Sequence, residues 1–133
     1  MKVVINRCFG GFGLSRDALL RLARTPCEHV VRHVPREYFG GKDGWEKEFA
    51  EYQSRSPDSM FALVMDGDRI LTDEHRYGDR NCSHLVFVVE AMGDAANGQC
   101  AELEVVSIPD GVEFGIEEYD GVESIHENHR RWP

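Results

Sequence analysis

The residues with the most evident chemical potential begin at Cys8–Gly13, which read Cys-Phe-Gly-Gly-Phe-Gly between a short β-branched run and Ser15. Glycines let backbone N–H groups approach a phosphate, and a helix N-terminus behind them adds partial positive charge. Phe9 and Phe12 could stack on a base. Phe9, Gly10, Gly11 and Phe12 are therefore candidate ligand contacts. The segment lacks the Lys-Ser/Thr ending of a P-loop, and Arg16 stands where a dinucleotide fingerprint needs its third glycine. A tight strand-to-helix connection is the plainer reading of the same residues.

A second group is His129-Arg130-Arg131-Trp132. An arginine fork matches a phosphate bidentately, and a Trp can anchor or stack. The plainer alternative is a tail packed on its own domain or a neighbouring subunit. His126 and His129 are three apart, whereas the zinc-protease helix needs two histidines four apart. A third group, Arg76, Arg80 and Asn81, lies just before an apolar run, where Asn81 or Ser83 could cap a helix. A solvated loop is the ordinary alternative. Cys27, His29 and His33 could form half of a zinc site, but no second half is visible and Pro35 closes the segment, so no metal site is expected. The sequence shows no nucleophile elbow and no two-histidine phosphoesterase pair, and no catalytic residue is assigned.

The elements that must position these groups follow from periodicity and turn chemistry. Lys2–Asn6 predicts a strand. Ser15 predicts a helix N-cap, with Leu14 and Leu19 as its hydrophobic staple, and Thr25-Pro26 stops that helix. Residues 27–34 are open between strand and short helix, ending at Gly40-Gly41. Asp43–Glu46 predicts a capping box for a helix presenting Trp45, Phe49 and Tyr52 on one face. Residues 60–65 predict a strand, Asp66-Gly67 a hairpin turn and residues 69–71 its return. Residues 72–80 are expected to be exposed. Residues 83–92 satisfy both strand propensity and helical period; the recurrence of Leu85, Val88, Val89 and Met92 favours a helix, extended through Ala95-Ala96 to Gly98. Ala101, Leu103 and Val105 alternate with Glu102 and Glu104, and Val112, Phe114 and Ile116 alternate after Pro109-Asp110-Gly111, so these two are expected to pair antiparallel. Asp120-Gly121 predicts a further turn before a last strand at 122–126. The expected class is α+β: a small, mostly antiparallel sheet with two or three helices in a single domain, 1–133.

The chain has 133 residues, 41% hydrophobic and 29% charged, which suits one globular domain. Its formal charge is −9, concentrated between residues 81 and 129, where no Lys or Arg occurs until Arg130-Arg131. Such a surface repels nucleic-acid polymers and anionic membranes but tolerates a small anion held by local arginines. The longest apolar run, Leu85–Val89, is too short for a membrane helix. Polar Asn6 interrupts the start, so no secretory leader is expected, and the four cysteines are expected to be reduced cytoplasmic thiols, mostly buried.

Several of these segments together resemble a known family. The opening MKVVINRCFGGFGLS, Arg80-Asn81 ahead of Leu85-Val86, Cys100–Asp110 as CAELEVVSIPD, Glu117–Gly121 as EEYDG and the terminal HRRW are similar to small phage proteins of the first-type Thoeris anti-defence sponge family. The likeness covers roughly the first 20 and last 55 residues; residues 25–75 are unmatched, and Cys82 departs from the pattern. The resemblance implies an anti-defence protein in the cytoplasm of an infected bacterial cell. It implies binding and sequestration of cyclic ADP-ribose isomers without cleavage, and for some members cyclic oligonucleotides at separate sites, with no cofactor. It also implies a homo-oligomer, a dimer or a hexamer built from dimers. A Trp so near the chain end independently suggests ordering against a second subunit. The ligand-binding residues expected are Phe9, Gly10, Gly11, Phe12, Arg80, Asn81, His129, Arg130, Arg131 and Trp132. The competing expectations are a protein that blocks a host protein through its acidic face and a cyclic-nucleotide phosphodiesterase.

Overall fold

Val3-Val4-Ile5 form the centre of a strand, β1 (Lys2–Asn6), and all three are buried, as a β-branched run between packed layers should be. The computed structural model describes residues 1–56 and 62–127. Ser15 caps α1 (Arg16–Ala23), its hydroxyl accepting from the Ala18 amide at 3.1 Å. The helix buries Ala18, Leu19, Leu22 and Ala23 on one stripe. The open segment 27–34 resolves as a strand, β2 (Val30–His33), followed by a single helical turn, α2 (Pro35–Tyr38).

The expected capping box does not form. The N-cap of α3 (Trp45–Gln53) is Gly44 in the left-handed region, with no side-chain cap bond. The αL backbone of Gly44 turns the chain into the helix one residue later than an Asp43 cap would. Trp45, Phe49 and Tyr52 do share a face, and Phe39 packs its ring 5.9 Å from Phe49 and 5.5 Å from Tyr52.

The hairpin β3 (Val64–Asp66) and β4 (Arg69–Asp73) turns at Gly67-Asp68, with Gly67 at φ 60°. With β2 it makes a three-stranded antiparallel sheet ordered β2-β4-β3. Residues 83–92 are helical, α4 (Ser83–Met92), with Leu85, Val86, Val88 and Val89 buried. Period outweighs the strand propensity of the valines because those positions face two layers at once. The helix stops at Met92 rather than running to Gly98: Gly93 takes a positive φ and residues 93–96 tighten into a 3-10 turn.

The expected pairing of residues 101–105 with 112–116 is corrected. β5 (Leu103–Ser107) pairs with β1, Asn6 opposite Leu103, while β6 (Phe114–Tyr119) pairs with β7 (Val122–Glu127). The two-residue loop Asp120-Gly121 has φ 51° and 89°. Positive φ at both central residues matches the twist of a tight hairpin, so β6 closes locally and β5 is left for β1.

The layers run from the β1–β5 ribbon to α4, then α1, then the β2-β4-β3 sheet, with β7 against β1. One apolar cluster, including Val4, Leu22, Leu71, Leu85 and Val88, runs through all four layers. The architecture is α+β with antiparallel sheets. Among the described residues no helix is long and apolar enough to cross a membrane.

Candidate functional site: a glycine-loop cleft

The glycine loop is pinned by Asn6, which is fully buried at the end of β1. Its amide nitrogen donates to the carbonyls of Cys8 and Gly121, each at 2.7 Å, and its oxygen accepts from the Glu102 amide at 2.8 Å. The loop thus sits between the β6–β7 turn and the start of β5. Farther along, the Ser15 amide donates to Ala96 at 2.8 Å and the Gly98 amide to Gly13 at 2.9 Å.

The glycines divide into two kinds. A Cβ on Gly10 would lie 2.6 Å from the Cys100 Cβ, one on Gly98 2.8 Å from the Gly13 carbonyl carbon, and one on Gly121 2.3 Å from the Gly11 nitrogen. These three are backbone crossings. A Cβ on Gly11 or Gly13 would meet nothing within 4 Å, so one side of each residue is open, while Gly121 packs against the Gly11 nitrogen and Gly98 donates to the Gly13 carbonyl. Gly121→Ala combines φ 89° with a clash against two loop amides. It is expected to destabilise the fold by about 2–3 kcal/mol, whereas Gly13→Ala should cost under about 1 kcal/mol. Urea unfolding of the two variants checks this.

The open face of the loop lines a cleft of about 750 Å³, with the start of α1, residues 62–64, Arg76 and residues 97–101 as its other walls. Its ionisable side chains are Arg16, Asp17, Arg76 and Cys100. Arg16 and Arg76 are exposed, and neither has an ion-pair partner among the described residues. A second cleft of about 470 Å³ lies between residues 76–81 and the β6–β7 hairpin, lined by Arg76, Tyr77, Asn81, Phe114 and Glu118 among others. Arg76 lines both.

The expected ligand residues separate accordingly. Gly10 and Gly11 line the larger cleft. Phe9 is 67% exposed and does not line that cleft. Phe12 also reaches the cleft wall but is buried, with the Arg80 guanidinium 3.8 Å above its ring. Asn81 is exposed at the smaller cleft. His129, Arg130, Arg131 and Trp132 lie outside the described residues.

Arg80 departs most from expectation. Residues 72–80 were expected at the surface, yet His75 and Arg80 are buried. Arg80 makes a bidentate pair with Glu123 at 2.6 and 2.7 Å and donates to the carbonyls of His75, Val4 and Arg76. Glu123, also buried, accepts from the Asn6 amide at 2.7 Å. A charge enters the interior only when paired and fully hydrogen-bonded. Here that pairing joins residues 43 apart in sequence, which no local pattern reveals. Arg76 was grouped with Arg80 and Asn81 as a candidate but not carried into the expected ligand set, and Arg16 was noted only as standing where a dinucleotide fingerprint needs its third glycine.

A separate cluster lies behind this segment. Cys27 Sγ is 3.9 Å from His75 Nε2 and 4.0 Å from Cys82 Sγ, and His75 Nδ1 is 2.6 Å from an Asp73 oxygen. Burial is the strongest influence on His75 and depresses it, but Asp73 and Cys82 together outweigh burial and raise its pKa. Burial, with Cys82 and Asp73, pushes the Cys27 thiol up against a smaller opposing influence from the His29 backbone. Cys82 is the N-cap of α4. Burial pushes its thiol up, but the Leu85 and His84 amides and the His75 ring outweigh it and hold Cys82 low. The expected burial of the cysteines holds for Cys27; Cys8 and Cys82 are half-buried and Cys100 is exposed.

No family model, curated protein or solved structure matches the chain.

Proposed function

We propose that this chain binds a small anionic nucleotide of the cyclic ADP-ribose type in the glycine-loop cleft and sequesters it without cleaving it. The observation that carries this reading is the cleft's lining. The open sides of Gly11 and Gly13, the N-terminus of α1 and two arginines without carboxylate partners among the described residues converge on about 750 Å³, inside a chain of net charge −9. That volume falls within the ~300–1,000 Å³ of small-molecule sites. Cations concentrated at one place in an acidic body favour a compact anion over a polymer. The diphosphate takes Arg16, Arg76 and the N-terminus of α1, and Phe9, exposed next to Gly10 in the chain, is the ring left for the adenine. The sequence resemblance implies Arg130, Arg131 and Trp132 as further ligand contacts; they lie outside the described residues. Arg80 acts one step back, holding Phe12 and the loop in place through Glu123.

Calorimetry tests this reading with cyclic ADP-ribose isomers, linear ADP-ribose and a single-stranded oligonucleotide. Saturable binding of a cyclic isomer, near one site per chain and without comparable oligonucleotide binding, is the expected result. Preferential oligonucleotide binding, or no nucleotide binding at all, would overturn it.

A further inference from the structure

Cys27, His75 and Cys82 come from three separate segments: the turn after α1, the 3-10 turn after β4 and the N-cap of α4. Their donor atoms all lie within 4.8 Å of one another. We infer that they form a binding site for a thiophilic divalent cation, zinc in the first instance, held by the two cysteine sulfurs and His75 Nε2.

The geometry already approaches what tetrahedral zinc demands. Zinc–sulfur bonds of ~2.3 Å and zinc–nitrogen bonds of ~2.0 Å at tetrahedral angles place neighbouring donors about 3.5–3.8 Å apart. The separations from Cys27 to His75 and to Cys82, 3.9 and 4.0 Å, need only small shifts to meet that, and with all three donors within 4.8 Å of one another the third needs a closure of about 1 Å at most. The orientation of His75 is the second argument. Its Nδ1 is held by Asp73 at 2.6 Å, which directs Nε2 toward the thiols. A carboxylate fixing the far nitrogen is the arrangement that orients and strengthens a histidine ligand. Donor chemistry is the third. Two sulfurs and an imidazole select zinc over magnesium or calcium, which prefer oxygen. Two thiolates neutralise the dication, so the ion adds no net charge beside the Asp73 carboxylate.

Two other readings of these residues fit less well. Buried cysteines commonly serve as small hydrophobes, but that leaves unexplained an imidazole with no exposed surface placed against them. A Cys82–His75–Asp73 nucleophilic triad would need a substrate to reach the sulfur, and neither of the two clefts described above is lined by Cys27, His75 or Cys82. The fourth coordination position falls to water or to His29, whose ring centroid lies 4.8 Å from that of His75. The ion would clamp the segment His75–Cys82, which carries the cleft residue Arg76 and the buried Arg80. This site does not depend on the nucleotide reading.

The test uses the full chain, stripped with a chelator and titrated with cobalt(II), then zinc. The expected result is one cobalt per chain, with an intense near-ultraviolet thiolate band and the visible bands of a tetrahedral centre, bleached by one equivalent of zinc. Cys27→Ser, Cys82→Ser and His75→Ala each remove the tetrahedral spectrum, and Cys8→Ser retains it. Asp73→Asn keeps the spectrum but weakens zinc binding by about 10- to 100-fold. Since a ligand variant could fail to fold, alkylation of the wild-type chain is read in parallel: zinc protects Cys27 and Cys82 and leaves Cys100 reactive. Cobalt that stays octahedral would overturn the site. So would alkylation of Cys82 unaffected by zinc, which would instead mark a nucleophile, or a Cys27–Cys82 disulfide in the freshly isolated chain that excludes metal.

Discussion

Replacing Glu123 by alanine is expected to cost about 3–5 kcal/mol of folding stability. Arg80 and Glu123 are both nearly inaccessible, and the arginine would keep its charge with no carboxylate to oppose it. The loss exceeds that of an exposed pair, worth about 0.2–1 kcal/mol, because the remaining guanidinium cannot regain solvent. Glu123 also accepts from the Asn6 amide at 2.7 Å, so its removal loosens the residue that pins the glycine loop. A domain of this size holds about 5–15 kcal/mol in total. The variant should therefore unfold at a much lower urea midpoint with a similar slope. Replacing both partners by apolar residues, Arg80→Met with Glu123→Leu, should recover only part of the loss: it removes the unpaired charge but takes these partners from the Asn6 backbone N–H and the Val4 and His75 carbonyls. A midpoint for Glu123→Ala close to wild type would show that the pair is solvated in solution, and Arg80 would return as a ligand cation.

The second large effect is on affinity. Arg16→Ala and Arg76→Ala are each expected to weaken binding of a cyclic ADP-ribose isomer by about ten- to a hundredfold. A charge-assisted hydrogen bond to phosphate contributes roughly 1.5–3 kcal/mol. Arg36→Ala is the comparison, since Arg36 is exposed on α2, away from the clefts. Its effect should stay within about threefold and fade with added salt. Arg130→Ala and Arg131→Ala belong in the same calorimetric series. Losses at Arg16 and Arg76 place the diphosphate on the loop; losses confined to the terminal arginines place it on the tail. Oligomeric state must be measured for each variant, because the tail could also join subunits.

What the sequence revealed was local. The Ser15 cap, the helical recurrence through Leu85, Val88, Val89 and Met92, and the tight turns at Gly67 and Gly121 are short-range patterns, and their elements formed, with α4 ending at Met92 instead of Gly98 and the first turn one residue later than expected. Long-range pairing was not legible. Two alternating segments around Pro109 resemble a hairpin on paper, yet β5 joins β1 across nearly the whole chain. Charged residues misled for the same reason. Arg80 reads as an exposed cation until Glu123 is brought beside it, and His75 until Asp73 and two cysteines surround it. The segment Cys27, His29 and His33, set aside as a metal site for want of a second half, contained one member of the cluster, and the other two came from 48 and 55 residues away. The glycine loop was recognised as a feature, but which glycines face a ligand and which allow a backbone crossing depended on contacts with Cys100 and Gly121.

Sequestration is tested most directly by recovery of the ligand. The chain, in molar excess over a cyclic ADP-ribose isomer, is incubated, filtered to remove free nucleotide, washed and heated. The supernatant is then resolved by chromatography and mass spectrometry. Sequestration predicts that the nucleotide stays with the protein through filtration and returns intact on heating, in near-stoichiometric amount. Linear ADP-ribose or another hydrolysis product in the supernatant would mean an enzyme, and nucleotide passing wholly into the first filtrate would mean that the cleft does not hold this class of ligand.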